Sequence, residues 1–230
     1  MRLFCFPYAG AGASIYYSWS RAVPELPLEI CGIQLPGREN RMREPLFHSL
    51  PPLIDALGAA LRSCLDKPFC FFGHSMGSLL SFELARYLRH HGWMMPHRLF
   101  LSGSAPPQIC ESRRLHQLPD DELIQSLAEL YNGLPDGIFD DQEMRDLMLP
   151  VLRADFSVLE TYRYRAEIPL PCSCTVFGGI DDDSVRSETL GLWQEHTIRP
   201  LGLRMFPGDH FFIKSARSGV LEAILRELIF

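Results

Sequence analysis

A serine with a glycine two residues away on either side, Gly73-His74-Ser75-Met76-Gly77, follows the apolar run Phe69-Cys70-Phe71-Phe72 and opens a helical pattern. Alone, the G-x-S-x-G spacing is a weak signal. Its setting makes it a strong one. Between a strand and a helix the serine occupies a sharp, strained turn, and the two glycines let strand and helix approach closely. The hydroxyl then rises above the strand end, near the positive end of the helix dipole. The chemistry open to such a serine is nucleophilic attack on an acyl carbon. For that it needs a general base, and the base needs an orienting carboxylate. In a strand–turn–helix of this kind the chain order is serine, acid, histidine.

Of eight histidines, only His116, His196 and His210 lie well downstream of Ser75. His74 is expected to point away from the turn, and His90 and His91 to end an exposed helix. His116 falls in a segment that reads as a cap over the strand ends. His196 sits near the end of a helix-like segment, a common place for a solvated histidine. His210 follows the run Leu203 to Phe206 and the turn Pro207-Gly208-Asp209, which puts it in a loop at a strand end. It is the expected base.

For the acid, the strand-like Ser173 to Phe177 runs into Gly178-Gly179-Ile180-Asp181-Asp182-Asp183. Three consecutive aspartates also suit a solvated turn or a weak Ca²⁺ site. A carboxylate reaching the histidine Nδ1 is the sharper reading. The spacing Gly179-x-x-Asp182-x-x-Val185 favours Asp182, with Asp181 as the alternative. The oxyanion needs two preorganised donors. One is the N–H of Met76, directly after the nucleophile. The other is expected from the small-residue loop Pro7-Tyr8-Ala9-Gly10-Ala11-Gly12, where Ala9 is preferred to Tyr8. That loop lacks G-x-G-x-x-G and a Walker lysine, which argues against a nucleotide site.

Elements that hold these residues recur along the chain. Strands are expected over Arg2 to Phe6, Leu28 to Leu35, Phe69 to Phe72, Arg98 to Ser102, Ser173 to Phe177 and Leu203 to Phe206. Continuous apolar runs of this length suit strands buried on both faces of a parallel sheet. Amphipathic patterns over Leu53 to Leu65, Met76 to His90 and Val220 to Leu228 supply helices between and after them. The alternation predicts an α/β fold, a mostly parallel central sheet with helices on both faces. From about 106 to 167 the rhythm breaks, with helical patterns at Asp120 to Leu130 and Asp141 to Leu152 and no convincing strand. An insertion of this size reads as a helical cap, or lid, over the strand ends of one domain spanning 1–230.

The 230-residue chain is long enough for one well-buried core, and its 47% hydrophobic and 22% charged residues are those of an ordinary soluble protein. Twenty-two Lys+Arg against 28 Asp+Glu give a net charge of −6, which argues against nucleic acid or an anionic membrane as the main partner. The cluster Arg38, Arg41 and Arg43 reads first as a solvated surface, with contact to an anionic partner as the alternative. Seven cysteines at irregular spacings point to reduced thiols in the cytoplasm. Cys172 and Cys174 read as core residues rather than metal ligands, and neither a metal nor a cofactor is expected. The N-terminus lacks the pattern of a signal peptide, and no run reaches the roughly 20 apolar residues that span a bilayer. The expectation is a soluble cytoplasmic protein, with nothing that demands more than a monomer.

With those residues in place, the chain resembles the type II thioesterases, free-standing editing enzymes of the α/β-hydrolase superfamily that accompany nonribosomal peptide and polyketide synthases. The likeness covers essentially the whole chain. It is carried by Cys5-Phe6-Pro7-Tyr8-Ala9-Gly10, Gln34-Leu35-Pro36-Gly37-Arg38-Glu39, the serine motif, Leu118-Pro119-Asp120-Asp121, Leu149-Pro150-Val151-Leu152-Arg153-Ala154-Asp155, Phe177-Gly178-Gly179 and Phe206-Pro207-Gly208-Asp209-His210-Phe211-Phe212. The resemblance implies Ser75, Asp182 and His210 as a triad, and hydrolysis of acyl groups from the phosphopantetheine arm of acyl or peptidyl carrier domains. It also implies a mobile cap bounding the acyl and pantetheine channel. The neighbouring expectations are a chain-terminating fatty acyl thioesterase and a general carboxylesterase. A non-catalytic carrier-binding module is the reading from another class.

Overall fold

The computed structural model describes residues 1–22, 28–109, 113–131 and 139–228. Six strands, β1 (Arg2–Phe6), β2 (Glu29–Gly32), β3 (Phe69–His74), β4 (Arg98–Ser102), β5 (Ser173–Gly179) and β6 (Gly202–Phe206), form one sheet in the order β2-β1-β3-β4-β5-β6. Every neighbouring pair is parallel. The helices are α1 (Tyr17–Ala22), α2 (Leu50–Leu61), α3 (Met76–His90), α4 (Asp120–Leu130), α5 (Gln142–Thr161), α6 (Ser187–Leu190), α7 (Phe212–Ser215) and α8 (Arg217–Leu228).

Alternate residues of the inner strands feed two cores, as the two-residue strand period requires. Phe4, Phe6, Phe69, Phe71, Leu99, Leu101 and Val176 pack with Leu53 and Leu57 of α2 and Leu80 and Leu84 of α3. Leu3, Cys5, Cys70, Phe72, Phe100 and Phe177 pack on the other face with Trp19 of α1 and Val220, Leu221 and Ile224 of α8. The runs look continuous in sequence because both faces are covered. Cys172 and Cys174 are both buried in the first of these cores.

Because all strands run the same way, the segments after β1, β3, β5 and β6 emerge at one edge, where ligands of open α/β sheets bind. Those segments carry Ala9, Ser75, Asp182 and His210. Between β4 and β5, residues 103–172 contribute α4 and α5 and, among the described residues, no strand of the sheet. These helices have an apolar cluster of their own, with Leu115, Leu123, Leu127, Leu149, Leu152 and Phe156.

Several expectations need correction. The second strand is confined to Glu29–Gly32, because it lies at the sheet edge with half its ladder unpaired, although Ile33 N–H still reaches Cys5 O at 2.9 Å. α2 begins at Leu50, three residues early, since Pro51 and Pro52 sit in a first turn that needs no N–H donors. α5, which holds Pro150 in its interior, continues nine residues beyond Leu152. Leu149, Leu152 and Phe156 keep one face against the insertion's own core, so burial outweighs the single hydrogen bond that the proline removes. His196 is not solvated: it is 5% exposed, contacts Gln108 Oε1 through Nε2 at 2.6 Å, and packs on Phe82 and Trp193. Nor is Arg38 on a solvated surface; it is 7% exposed and paired with Asp155.

Candidate active site

Ser75 stands between β3 and α3 with φ 54° and ψ −116°, a conformation that a non-glycine residue holds only where its surroundings enforce it. The enforcement is visible. A Cβ on Gly73 would overlap the Gly77 carbonyl, and one on Gly77 would overlap the Phe6 carbonyl, so only glycine lets α3 start against β1 and β3. Ser75 N–H donates to Ser102 O at 2.7 Å. The Ser78 hydroxyl, one turn into the helix, donates toward Gly73 O (2.8 Å) and Ser102 O (2.9 Å) and accepts from Ser102 N–H (2.9 Å). This ties the turn to two strands. Met76 is the first residue of α3, where an N–H has no acceptor within the helix.

Across the sheet edge, Asp182 and His210 meet. His210 Nδ1 lies 2.8 Å from Asp182 Oδ2, and the two side chains are only 6% and 2% exposed. The other carboxylate oxygen, Oδ1, receives the Ser184 N–H at 3.0 Å and the Ser184 hydroxyl at 2.6 Å. The same hydroxyl oxygen is 3.0 Å from His210 Nδ1. Burial pushes the Asp182 carboxyl upward, but the hydrogen bonds from His210 and Ser184 outweigh it and hold the group below its ordinary range. Asp182 is therefore a carboxylate facing the ring N–H. Asp181, the alternative, instead accepts from Gly208 N–H at 3.2 Å and fastens the β6–α7 turn.

His74 does not simply turn away from the site. Its ring is fully buried and lies 5.1 Å from that of His210, tilted by 45°, with Nδ1 2.9 Å from Ser102 Oγ. Burial, and then the nearby His210, hold it well below the usual histidine range, so His210 rests on a neutral ring. Tyr131 packs on His210 as well, with ring centroids 4.8 Å apart.

Two cavities meet at Ser75 and His210. One, of about 360 Å³, is walled by Leu79, Leu115, Leu130 and Phe156. The other, of about 310 Å³, runs along Tyr8 to Gly12 and is closed by Leu127, Met148 and Leu152. Ser75 and His210 share both, yet among the described residues no hydrogen bond joins them; such bonds often close only with substrate in place. In the loop after β1, Gly10 N–H donates to Asp155 (2.7 Å) and Ala11 N–H to Tyr8 O (3.1 Å). The Ala9 N–H is left without an acceptor among the described residues, beside the cavity that holds Ser75.

Ser184, the places of His74 and Tyr131, and the pairing of Arg38 with Asp155 are not legible in the sequence. Arg38 and Asp155 carried a signal only as members of the motifs behind the family resemblance. Nothing in local spacing marks Ser184 or Tyr131.

The family of thioesterase domains matches residues 1–228. The chain is 44% identical to the gramicidin S biosynthesis protein GrsT of Aneurinibacillus migulanus, over 99% of this chain and 89% of that protein. It is similar in structure to RedJ, a thioesterase from the prodiginine biosynthetic pathway in Streptomyces coelicolor, with 35% identity, a TM-score of 0.91 and coverage of 97% of this chain and 89% of that one. The type II thioesterase BorB from the borrelidin biosynthetic cluster is also similar, at 33% identity and a TM-score of 0.89, over 99% of this chain and 92% of its own. On the family match and these relatives together, the chain belongs to the thioesterase-domain family and takes its place among the type II thioesterases, serine hydrolases that act on thioesters.

Proposed function

We propose that the protein hydrolyses acyl groups from the phosphopantetheine arm of carrier domains in a nonribosomal peptide or polyketide synthase, with Ser75, His210 and Asp182 as its triad. The observation that carries this reading is the buried His210–Asp182 contact of 2.8 Å, whose histidine opens into the same cavities as the strained Ser75. The relatives' association with gramicidin S, prodiginine and borrelidin biosynthesis supports the partner.

In the first stage His210 Nε2 takes the Ser75 proton as Oγ attacks the thioester carbonyl. Asp182 holds Nδ1–H and stabilises the imidazolium that forms. The N–H groups of Met76 and Ala9 hold the oxyanion. On collapse the C–S bond breaks, and the proton on Nε2 goes to the departing thiolate. In the second stage water, deprotonated by the same nitrogen, attacks the acyl-serine carbonyl. The C–O bond to Ser75 breaks, and Oγ recovers the proton. No cofactor enters this scheme; pantetheine belongs to the substrate. The insertion between β4 and β5 acts as a lid over the acyl chamber.

Treatment with an alkyl fluorophosphonate, read by intact-protein mass and peptide mapping, tests the nucleophile. One phosphonyl adduct on Ser75 is expected, with thioester hydrolysis abolished in step and no adduct on Ser75→Ala. Full hydrolysis by Ser75→Ala would discard the triad.

A further inference from the structure

The loop Tyr8 to Ala13, which supplies Ala9, is held by side chains that come from elsewhere in the chain. Asp155 of α5 accepts the Gly10 N–H at 2.7 Å on Oδ2. The same carboxylate takes both guanidinium nitrogens of Arg38, Nη1 to Oδ2 at 2.6 Å and Nη2 to Oδ1 at 2.8 Å. Arg38 Nη1 also donates to Ala11 O at 3.2 Å, and its Nε to Pro36 O at 3.3 Å. A third tie, from Gln34 Oε1, accepts the Ala13 N–H at 2.8 Å. The pair is almost fully buried, with side-chain exposures of 7% and 4%. The contact is tight: Gly10 has φ 80°, and a Cβ there would press on the Leu152 side chain of α5.

An isolated buried ion pair is weak evidence for stability, since desolvating two charges offsets most of their attraction. This pair does something that an apolar pair could not. It presents a carboxylate oxygen to a backbone N–H and a guanidinium N–H to a backbone carbonyl, one on each of two adjacent residues. Ala9 precedes these two held residues, and its own N–H has no acceptor among the described residues. We propose that Arg38 and Asp155 are positioning residues for the oxyanion: they fix the Tyr8–Ala11 backbone so that the Ala9 N–H is aimed before substrate arrives, and they make that aim depend on where α5 sits. The inference rests on the hydrolase reading above. A preorganised donor acts only if it is already in place when charge develops. The same contact therefore links the helical insertion to the oxyanion donor itself.

Three variants separate positioning from mere support. Asp155→Asn keeps the volume but loses the charge, and Arg38→Lys keeps the charge but loses the two-pronged geometry. The double variant Arg38→Met/Asp155→Leu removes both charges and leaves neither unpaired, the kind of replacement that conserves stability. Each is assayed per active site, by end-point titration with the fluorophosphonate, and its melting temperature is measured. Loss of an oxyanion donor lowers kcat by about 10²-fold. We expect a fall of that order in Asp155→Asn and in the double variant, with KM within about threefold of the parent. Arg38→Lys falls between. The double variant recovers melting temperature but not kcat. A trifluoromethyl ketone, whose adduct with Ser75 places an alkoxide in the same donors, should weaken by the same factor as kcat/KM. Recovery of kcat to within twofold of wild type in the double variant, or a rise in KM at constant kcat, would overturn the positioning role. Should the double variant not fold, the titrated kcat of Asp155→Asn decides by the same thresholds. Failure of the wild-type protein to react at Ser75 would instead remove the hydrolase reading itself.

Discussion

Asp182→Asn is the substitution whose consequence the geometry determines most completely. The new amide has one oxygen and one NH₂, and the surroundings decide which goes where. Two donors from Ser184, its N–H at 3.0 Å and its hydroxyl at 2.6 Å, already point at Oδ1. The amide oxygen must take that position, which turns the NH₂ toward His210 Nδ1. Nδ1 then has to accept, its proton moves to Nε2, and the ring no longer offers a base to Ser75. With the Asp182 side chain only 2% exposed, water cannot substitute for the lost acceptor. A wrong tautomer in a triad lowers kcat by about 10⁴-fold, which is about 5 kcal/mol of barrier. Adding Ser184→Ala to this variant removes one of the two donors that orient the amide. That relaxes the preference by about 1 kcal/mol and should return about fivefold of the activity. The assay is thiol release from an acyl thioester at saturating substrate, with the fold checked by circular dichroism. A loss below tenfold in Asp182→Asn would refute the argument that His210 depends on this carboxylate for its tautomer.

Two further outcomes follow from the packing around Ser75 and His210. His74 is neutral when folded, so its folded pKa lies below the ordinary value of about 6.5; the stability this gives is present above that pH and is lost as pH falls. Its share of the acid limb is about 1.4 kcal/mol per pH unit below about 6.5, and urea unfolding of wild type and His74→Gln from pH 7 to 5 should differ by that slope; equal slopes would show that His74 takes up protons in the native state. Gly77→Ala drives a methyl group into the Phe6 backbone, where no flexible side chain can give way. A cost of about 2–3 kcal/mol should lower the melting temperature by about 4–12 °C, and an unchanged melting temperature would mean that the turn is looser than it looks.

The parts of the fold that read directly from the chain are those whose physics is local. The four-residue run Phe69 to Phe72, followed by glycine and serine, foretells a buried strand, a sharp turn and a helix start, and these are what forms. Gly178-Gly179 and Pro207-Gly208 mark strand ends in the same legible way, which is why the sequence sets Asp182 and His210 just after them. What escaped depends on contacts distant in sequence. Arg38 and Asp155 lie 117 residues apart, and nothing near Arg38 distinguishes a buried guanidinium from a solvated one. His196 has polar immediate neighbours in sequence, yet Phe82 and Tyr164, both distant along the chain, pack on it in space. The part of α5 beyond Leu152 is set by the insertion's own apolar cluster, which Phe156 joins through contacts that no local pattern reveals. Ser184 was overlooked for a simpler reason: one hydroxyl near three aspartates carries no periodic signal.

The most direct test of the account is acyl release from a loaded carrier protein, run beside the same acyl group on coenzyme A and on a simple oxygen ester, with wild type and Ser75→Ala in parallel. Wild type is expected to release the carrier-bound acyl group fastest, and Ser75→Ala to release none from any of the three. Equal or faster release from the oxygen ester, or release that survives in Ser75→Ala, would contradict it.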